Sequence, residues 1–400
     1  MARPRHVALI VDAAKPYDRK IISGVARYVK ERGNWSLYVE EDPLQKLPDL
    51  RRWRGSGIIA NFDDRKVAAA VRGLKTPVVG VGGGYGWYDP DSRIPYFATD
   101  NEAIAHLAAQ HLINRGFRRL AFYGYPRTQI NRWSEERANA FRRQADEAGV
   151  PCSFYTGRYG TARQWSELQR GLTAWVRSLE KPVGLMACND VRARHVLEAC
   201  RALGARVPED VAVIGVDNDE MICDLTNPPL SSIEQGARRM GYQAAALLDQ
   251  LMGGWKTPQT RFVVDPEGVV ARRSTDILAI EDLDVATAVR FISEHACERI
   301  QIGDVVDQVG VSRSTLKNRF KAATGHSLHA EIQRVQLERA KQLIAGTDLP
   351  LKQIALQAGF QYVQYLTRLF RNRVGQTPAK FRRQRVQGPG LGPSTAPTNP

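Results

Sequence analysis

Residues 354–382 read IALQAGFQYVQYLTRLFRNRVGQTPAKFR, and this stretch decides the fold of the last quarter of the chain. A short apolar helix leads to Gly359, and a second helix follows from about Tyr362 to Arg373. Leu366 and Phe370 lie four residues apart and so share one face of the second helix. Because a glycine between two short helices lets them cross closely, the pattern predicts a helix-turn-helix unit.

The same plan occurs 49 residues earlier, at Gly310. Residues 303–309 form the first short helix, and Ser312 is a suitable N-cap for a second helix from Arg313 to Ala323. Between the two units, Leu328 to Ile344 predicts one helix, about 26 Å long at 1.5 Å per residue. A rod of this length can hold two second helices about one DNA turn, roughly 34 Å, apart.

Positive charge is concentrated in the same part of the chain. The 400 residues carry a net charge of +15. Residues 285–387 hold 17 Lys and Arg against 7 Asp and Glu, a net charge of +10, which leaves +5 for residues 1–284. A basic domain is typical of proteins that bind phosphates of nucleic acid. Charge alone leaves open a solvated basic face without a partner.

Up to about residue 275, short apolar runs alternate with amphipathic stretches. Continuous apolar strands separated by helices predict parallel sheets covered on both faces, and the length favours two sheets. The predicted strands are residues 6–11, 57–60, 77–81, 120–123, 183–187 and 211–216. The predicted helices are residues 18–30, 65–72, 101–115, 135–149, 163–178 and 191–203.

These patterns predict an α/β sensor domain with two lobes, followed by an all-α DNA-binding domain. The sensor domain is expected over residues 4–275, a linker over 276–284, and the DNA-binding domain with two helix-turn-helix units over 285–386. Residues 387–400 are rich in glycine and proline, so we expect a disordered tail.

Polar side chains follow the predicted strands at their carboxyl ends, where parallel sheets bind ligands. Carboxylates and amides suit a polyhydroxyl ligand, since each hydroxyl both donates and accepts, and a tryptophan offers a face to a sugar ring. Each Asp or Asn taken singly can instead be a helix N-cap, and each tryptophan can be core. The candidate ligand residues are Asp12, Tyr17, Asp18, Asp63, Asp100, Asn189, Asp190 and Asp217, with Trp133 or Trp87 as the platform.

The C-terminal motifs resemble the AraC-type DNA-binding domain, in the order Ile354-Ala355, Gly359-Phe360, Phe370-Arg371, Gly375-x-x-Pro378 and Phe381-Arg382. The departure is Leu366, where that family usually has phenylalanine. The resemblance implies base-reading positions, at which Arg or Lys can pair with guanine and Gln with adenine. These positions are Ser314, Lys317, Asn318, Val363, Gln364, Thr367 and Arg368. The further candidate DNA contacts are Arg313 and, at phosphates, Lys321, Arg371 and Arg373. Each of these residues can also be an ordinary exposed helix residue.

The N-terminal part resembles the LacI/GalR-type periplasmic-binding-protein fold. The matching motifs include Thr99-Asp100-Asn101, Asn189-Asp190 and Ile214-Gly-Val-Asp217. The resemblance implies a ligand bound between two lobes, with Arg137 and Asp217 at positions that commonly hold ligand hydroxyls. Repressors of that family carry an N-terminal helix-turn-helix, whereas this chain starts at its first strand.

A sensor of this type followed by an AraC-type domain resembles the family of xylose regulators. The matching segments include Tyr17-Asp-Arg19, Phe62-Asp-Asp64, Arg132-Trp133 and residues 235–245. The resemblance implies a transcription regulator, an activator of sugar catabolism genes, with D-xylose as effector. Its partners would be double-stranded operator or promoter DNA, RNA polymerase and a second copy in a homodimer. Ligand would close the lobes about a hinge that the chain crosses three times. The alternative is a constitutive DNA-binding regulator whose N-terminal domain only dimerises.

Other functional classes lack support. Residues 80–86 are glycine-rich but fail the GxGxxG spacing, and GxxxxGK[ST], GxSxG and HExxH do not occur, so we expect neither an enzyme nor a cofactor. We interpret residues 80–86 as a flexible cleft loop. His326 and His329 lack a third metal ligand nearby. Five cysteines without CxxC spacing predict buried, reduced thiols. No apolar run approaches the roughly 20 residues of a membrane span, and Val7–Val11 is too short for a signal peptide. We therefore expect a cytoplasmic protein.

Overall fold

The computed structural model of the chain describes residues 4–32, 34–39, 49–128, 130–158, 165–276, 282–347 and 349–386. The chain divides into two compact units, Met1–Ala279 and Ile280–Pro400. The predicted tail, residues 387–400, lies outside the described residues, as does the central part of the predicted linker, residues 277–281.

The first unit contains two six-stranded sheets, as the alternating pattern predicts. The first sheet, together with its helices, forms lobe 1. All of its strand pairs are parallel, and the strand order is 11-5-4-3-1-2. Its strands are β1 (Arg5–Ile10), β2 (Trp35–Val39), β3 (Gly57–Asn61), β4 (Val78–Gly82), β5 (Tyr96–Thr99) and β11 (Arg261–Val264).

The second sheet, with its helices, forms lobe 2. Its order is 12-10-9-8-6-7, and the pair of strands 10 and 12 is antiparallel while the others are parallel. Its strands are β6 (Leu120–Gly124), β7 (Cys152–Thr156), β8 (Val183–Ala187), β9 (Val211–Val216), β10 (Ser231–Glu234) and β12 (Gly268–Val270).

Apolar cores lie on both faces of each sheet, which confirms the prediction of doubly covered sheets. In β1, Val7 and Leu9 belong to one core, while Ala8 and Ile10 belong to the core on the opposite face. This division follows from the two-residue period of side chains along a strand. The helices of this unit are α1 (Pro16–Arg32), α2 (Arg65–Ala70), α3 (Asn101–Ile113), α4 (Arg132–Glu147), α5 (Trp165–Ser178), α6 (Asp190–Leu203), α7 (Glu220–Leu225) and α8 (Ala237–Met252).

The chain passes between the lobes three times, as expected for a hinged sensor. The crossings lie between β5 and α3, between β10 and α8, and between β11 and β12. Each crossing is short, and Asp100 and Gln235 lie within two of them. Because these segments join the lobes at one side, the ligand cleft between the sheets lies beside them.

Several elements were absent from the predicted set. Strands β2 and β7 lie at sheet edges, where their burial is partial, so they lack the continuous apolar run of a central strand. Strand β5, the short strands β10 to β12, and helices α7 and α8 were also not predicted. The apolar residues of α8 have helical spacing, but they are mostly small and lie among polar residues, which weakens the sequence signal.

Helices α1 and α8 of lobe 1 cross at a pair of glycines. A Cβ atom at Gly24 would overlap the carbonyl oxygen of Arg238, and one at Gly241 would overlap the carbonyl oxygen of Ile21. Both neighbours are backbone atoms, so they cannot move aside as a flexible side chain does. The two helices therefore approach each other this closely only because both positions lack a side chain.

Gly24→Ala is expected to lower the free energy of unfolding by about 1–3 kcal/mol, because the added methyl group forces α1 and α8 apart. The midpoint of thermal unfolding of the full chain measures the loss. Ser23→Ala is the matched control, since Ser23 is exposed on the same helix. Equal midpoints for the two variants would contradict the packing argument.

The second unit is helical throughout its described residues, 282–347 and 349–386, which agrees with the absence of a strand pattern there. Helix α12 contacts α9, α11, α13, α14 and α15 and is the centre of the unit. The helices are α9 (Leu283–His295), α10 (Ile302–Val309), α11 (Arg313–Thr324), α12 (Leu328–Gly346), α13 (Leu351–Gln357), α14 (Val363–Val374) and α15 (Pro378–Val386).

Candidate functional site

A cavity of about 300 Å³ lies between the two lobes. Its wall combines carboxylates, amides, one arginine and one tryptophan from both sheets, which is the donor and acceptor set expected for a polyhydroxyl ligand. Seven of the ten predicted ligand residues line it: Tyr17, Asp18, Asp63, Trp133, Arg137, Asn189 and Asp217. The structure thus brings these residues together, and their contact with a ligand stays a prediction.

Lobe 1 contributes two buried carboxyl groups to the cavity. Asp18 accepts hydrogen bonds from the side-chain amide of Asn61 at 2.8 Å and from the backbone N–H of Asp12 at 2.8 Å. Asp63 accepts from the backbone N–H of Gly83 at 3.0 Å. Burial raises the pKa of Asp18 to about 6 and that of Asp63 to about 7. Both groups therefore exchange protons close to neutral pH.

Arg137 of α4 is the central group contributed by lobe 2, and it is fully buried. Its guanidinium donates to the side-chain oxygen of Asn101 at 3.0 Å, to the carbonyl oxygen of Cys188, and to the amide oxygen of Gln235 at 3.2 Å. The ring of Trp133 lies 5.0 Å from the guanidinium carbon. Burial lowers the pKa of Arg137, which nevertheless stays positively charged at neutral pH.

Gln235 connects this arginine to Asp217. Its amide nitrogen donates to the Asp217 carboxylate while its amide oxygen accepts from Arg137. Burial raises the pKa of Asp217 above its usual range, and the positive charge of Arg137 opposes the rise. The result is a buried chain of polar groups that presents fixed donors and acceptors to the cavity.

Three predicted residues are held in local roles and are not among the residues that line the cavity. Asp100 caps α3 by accepting from the backbone N–H of Ala103 at 2.9 Å. Asp12 accepts from the backbone N–H of Ala14 at 3.0 Å. Asp190 is fully buried and accepts from Ser232 Oγ and from the backbone N–H of Asp219. As ligand contacts these three remain untested predictions.

Only one of the two candidate tryptophans lines the cavity. Trp133 does, and its ring meets Tyr125 edge to face at 6.0 Å. Trp87 instead stacks beneath the guanidinium groups of Arg132 and Arg65 at 4.7 and 5.3 Å. The sequence pattern did not distinguish these two environments.

Several lining residues were not predicted, and most of them carried a signal. Lys15 follows β1 and Asn61 is the last residue of β3, so both lie at strand ends that the sequence pattern marks as ligand sites. Gln235 lies in a lobe crossing. Tyr125 and Asn131 lie after β6, whose carboxyl end was not among the predicted ligand sites.

The glycines of residues 80–86 have a packing role that the expected flexible loop does not include. Gly82 is the last residue of β4, and a Cβ atom there would overlap the hydroxyl of Tyr96. Gly83 lines the cavity, and a Cβ atom at Gly84 would overlap the carboxylate of Glu136 in lobe 2. The backbone N–H of Tyr85 donates to the same carboxylate at 3.1 Å. Lack of side chains thus allows this loop to contact both lobes.

Asp63→Asn is expected to raise the melting temperature at pH 8, by on the order of 5 °C, and to have little effect at pH 5. The Asp63 carboxyl has a pKa of about 7 when folded and about 4 when unfolded. The folded chain therefore loses stability as the pH rises from about 4 to about 7, and asparagine removes that loss while still accepting from Gly83. Thermal melts at both pH values measure the difference.

The neighbouring substitution Asp64→Asn is the control for this experiment. Asp64 caps α2 by accepting from the backbone N–H of Lys66 at 2.7 Å, and asparagine caps equally well. We expect its melting temperature to equal that of the wild type at both pH values. A gain from Asp63→Asn that is the same at pH 5 and pH 8 would contradict the titration argument.

The two helix-turn-helix units form where the sequence predicts them. In the first, Gly310 has a φ of +79° and Ser312 Oγ accepts from the backbone N–H of Thr315 at 3.2 Å, which confirms the predicted cap. In the second, Gly359 has a φ of +83°, and a Cβ atom there would lie 2.7 Å from the carbonyl oxygen of Ala296. Close approach therefore requires glycine at position 359, whereas position 310 requires only the left-handed backbone.

The predicted DNA contacts lie on the outer faces of α11 and α14. Leu316 and Phe320 of α11, and Leu366 and Phe370 of α14, are buried and orient the two helices. Val363 and Thr367 are half-buried, and the Thr367 hydroxyl donates to the carbonyl oxygen of Val363 at 2.9 Å. The other predicted contacts are exposed: Arg313, Ser314, Lys317, Asn318, Lys321, Gln364, Arg368, Arg371 and Arg373.

The charge of these helices suits a phosphate backbone. Neither α11 nor α14 contains an acidic residue. One basic residue is engaged elsewhere, since Arg319 donates to Asp282 at 2.6 Å and to Asp284 at 2.7 Å. Helix α12, 19 residues long, contacts both α11 and α14 and so sets the distance between them.

The remaining expectations concern metals, thiols and membranes. Within the described residues, no group of three or more His, Cys, Asp or Glu residues is placed to hold a metal ion. His326 Nε2 forms a hydrogen bond with the carboxylate of Glu331 at 2.7 Å. None of the five cysteines forms a disulfide bond with another. Cys152 and Cys297 are half-buried, whereas the sequence predicted buried thiols at all five positions. No helix in the described part of the chain has the length and apolar character needed to cross a bilayer.

Three families of domain match consecutive parts of the chain. A XylR N-terminal domain matches residues 6–102, and a periplasmic binding protein-like domain matches residues 109–275. A helix-turn-helix domain matches residues 305–384. The second match contains the sheet of lobe 2 together with α8 and β11 of lobe 1, and the third lies within the helical unit.

Curated xylose operon regulatory proteins match nearly the whole chain. The chain is 38% identical over 384 residues to the xylose operon regulatory protein of Escherichia coli K12, which covers 96% of this chain and 98% of that protein. It is 37% identical over 377 residues to the xylose operon regulatory protein of Haemophilus influenzae. This match spans 94% of this chain and 97% of that protein.

Solved structures also match this chain, either over nearly its whole length or over its first unit. The structure of the xylose-binding transcription activator XylR matches with a TM-score of 0.76 at 37% identity, over 96% of this chain and 98% of that one. A complex of the transcriptional regulator CelR with cellobiose matches with a TM-score of 0.56 at 24% identity, over 68% of this chain and 86% of that one. The second likeness shows a shared sensor fold alone.

Proposed function

We propose that this chain, which belongs to the family of xylose operon regulatory proteins, is a sequence-specific DNA-binding transcription regulator controlled by a sugar. In this proposal D-xylose binds between the lobes of a sensor domain, residues 4–275. The domain at residues 285–386 binds operator or promoter DNA and activates genes of xylose catabolism in the cytoplasm. This function requires no catalytic step.

The observation that carries the proposal is the cavity of about 300 Å³ whose polar wall comes from both lobes. Asp63 from lobe 1, and Arg137 and Asp217 from lobe 2, present a fixed set of acceptors and donors to a ligand with many hydroxyls. Trp133 adds an aromatic surface for the C–H face of a sugar ring. Because the contacts come from both sides, a bound sugar favours the closed arrangement of the lobes.

Lobe closure is the proposed link between sugar and DNA. A ligand shifts an equilibrium only by its differential affinity for the two states, and a cavity lined from both lobes is complete only when they are closed. We propose that closure repositions the DNA-binding domains within a homodimer. A dimer carries four recognition helices, which suits direct or inverted half-sites, and RNA polymerase is the partner that an activator needs.

The decisive experiment measures binding of the full chain to the DNA upstream of its own gene by fluorescence anisotropy. D-xylose is compared with L-arabinose, D-ribose and D-glucose, and each sugar is also tested by thermal shift. We expect D-xylose alone to stabilise the chain and to change its DNA affinity. DNA binding that no sugar alters, together with no thermal shift, would favour a constitutive regulator whose N-terminal domain only dimerises.

A further inference from the structure

The turn that follows β9 has an unusual backbone. Asp217 and Asn218 have φ values of 114° and 47°, a region that residues with side chains rarely adopt because it strains the backbone. Asp217 nevertheless lines the cavity and accepts a hydrogen bond from Gln235. Surrounding groups therefore have to hold this turn for the carboxylate to face a ligand.

Lobe 2 holds one side of the turn. The backbone N–H of Asn218 donates to Ser232 Oγ at 2.9 Å, and Arg272 donates to the side-chain oxygen of Asn218 at 2.9 Å. The backbone N–H of Asp219 donates to Asp190 at 2.8 Å. All of these partners belong to lobe 2, so these contacts persist whether the lobes are open or closed.

Lobe 1 reaches the same turn through Lys20 of α1. Its ammonium group donates to the carbonyl oxygens of Asp217 at 2.5 Å and Asn218 at 3.1 Å, and it pairs with the carboxylate of Glu234 in β10. The side chains of Lys20 and Glu234 are only 18% and 19% exposed. Partial burial makes such contacts stronger than those of an exposed ion pair.

We propose that Lys20 is a positioning residue for sugar binding. It lies behind the turn, outside the residues that line the cavity, and fixes the backbone from which the Asp217 side chain reaches the ligand. Lys20 and the turn belong to different lobes, so the proposal assigns this contact to the closed arrangement. Lys20 therefore makes the binding geometry of Asp217 depend on closure, an inference that rests on the proposed function.

The test measures D-xylose affinity by isothermal titration calorimetry on the full chain. Lys20→Met keeps the apolar stem and removes the ammonium group, and we expect the Kd to rise about tenfold or more. Lys20→Arg restores a cation at the turn, and we expect affinity within about threefold of the wild type. Lys30→Met, at an exposed position of the same helix, is the control and should bind as the wild type does.

A second variant separates loss of the contact from the effect of an unpaired acid. Lys20→Met also leaves Glu234 beside Asp217 without its cation, so the double variant Lys20→Met/Glu234→Gln removes that charge as well. We expect the double variant to bind D-xylose as weakly as Lys20→Met. Because the proposal assigns the contact to the closed arrangement, which the sugar favours, we also expect both to melt, without sugar, at the temperature of the wild type, which a merely structural role would not allow.

The outcomes are distinct. Wild-type affinity in Lys20→Met overturns the inference and leaves the proposed function intact. Weak binding accompanied by a lower melting temperature, and not rescued by arginine, also overturns it. If the wild-type chain binds none of the sugars, the proposed function fails and the inference fails with it.

Discussion

Replacing Arg137 by lysine is expected to weaken D-xylose binding by about a hundredfold or more while leaving DNA binding without sugar unchanged. The guanidinium donates in three directions, to Asn101, to the carbonyl oxygen of Cys188 and to Gln235. The single ammonium group of lysine cannot serve a planar array of acceptors. A hydrogen bond with a charged group contributes about 1.5–3 kcal/mol, so losing the hydrogen bonds that the guanidinium would offer to the sugar, together with the fixed position of Gln235, accounts for the predicted loss.

The loss should extend beyond the direct contacts of the arginine. Gln235 is oriented on one side by Arg137 and on the other by Asp217, so a lysine at position 137 also loosens the amide that orients the Asp217 carboxylate. Calorimetry with D-xylose measures the change in affinity, and anisotropy of labelled operator DNA shows whether the chain still binds DNA in the absence of sugar.

The control for this substitution is Arg143→Lys on the same helix. Arg143 is exposed and pairs with Glu102 at the surface, where such pairs contribute little. We expect this variant to keep wild-type affinity for D-xylose. If Arg137→Lys binds D-xylose within a factor of about three of the wild type, the buried network does not determine recognition.

The helix-turn-helix units could be predicted nearly to the residue because their signals are local. The predicted helix Arg313 to Ala323 is observed as Arg313–Thr324, and Tyr362 to Arg373 is observed as Val363–Val374. A capping serine, a glycine with positive φ and a pair of apolar residues four apart each act within one turn of helix. The central sheet strands were predictable for a related reason, since burial on both faces leaves a continuous apolar run.

The cleft was only partly predictable because sequence shows which residue follows a strand but not where its side chain points. Asp100 and Asn189 both cap a helix, accepting from Ala103 and Arg192, yet only Asn189 is also among the cavity-lining residues. The distinction depends on the packing of the two lobes. Lys20 gave no sequence signal at all, since its partner Asp217 comes 197 residues later.

Combining Lys317→Ala with Arg368→Ala is expected to weaken binding to the operator by about a hundredfold or more. Both residues are exposed on the second helices of the two units, and in helix-turn-helix proteins the second helix lies in the major groove. A good bidentate contact to a base contributes about 1–3 kcal/mol, and contacts at well-separated sites add. The loss should be confined to the cognate sequence, since neutralisation of phosphate charge is largely retained by the other basic residues.

Arg371→Ala, in the same domain, is expected to lower DNA affinity without changing sequence preference. We expect it to weaken binding to operator and unrelated DNA alike, and to reduce the slope of log affinity against log salt concentration by about 0.9, the value for one phosphate contact. Lys341→Gln is the control for charge, because it removes one positive group from α12, where Lys341 pairs with Glu338 at 2.6 Å. We expect its slope and its operator preference to equal those of the wild type.

These variants test the assignment of roles on the outer faces of α11 and α14. Anisotropy titrations against operator and scrambled DNA at several salt concentrations separate base reading from phosphate contact, because only the former changes the ratio of the two affinities. An operator preference that survives the loss of both Lys317 and Arg368 would contradict insertion of these helices into the major groove. A specific loss in Lys341→Gln would instead place the DNA on another face of the domain.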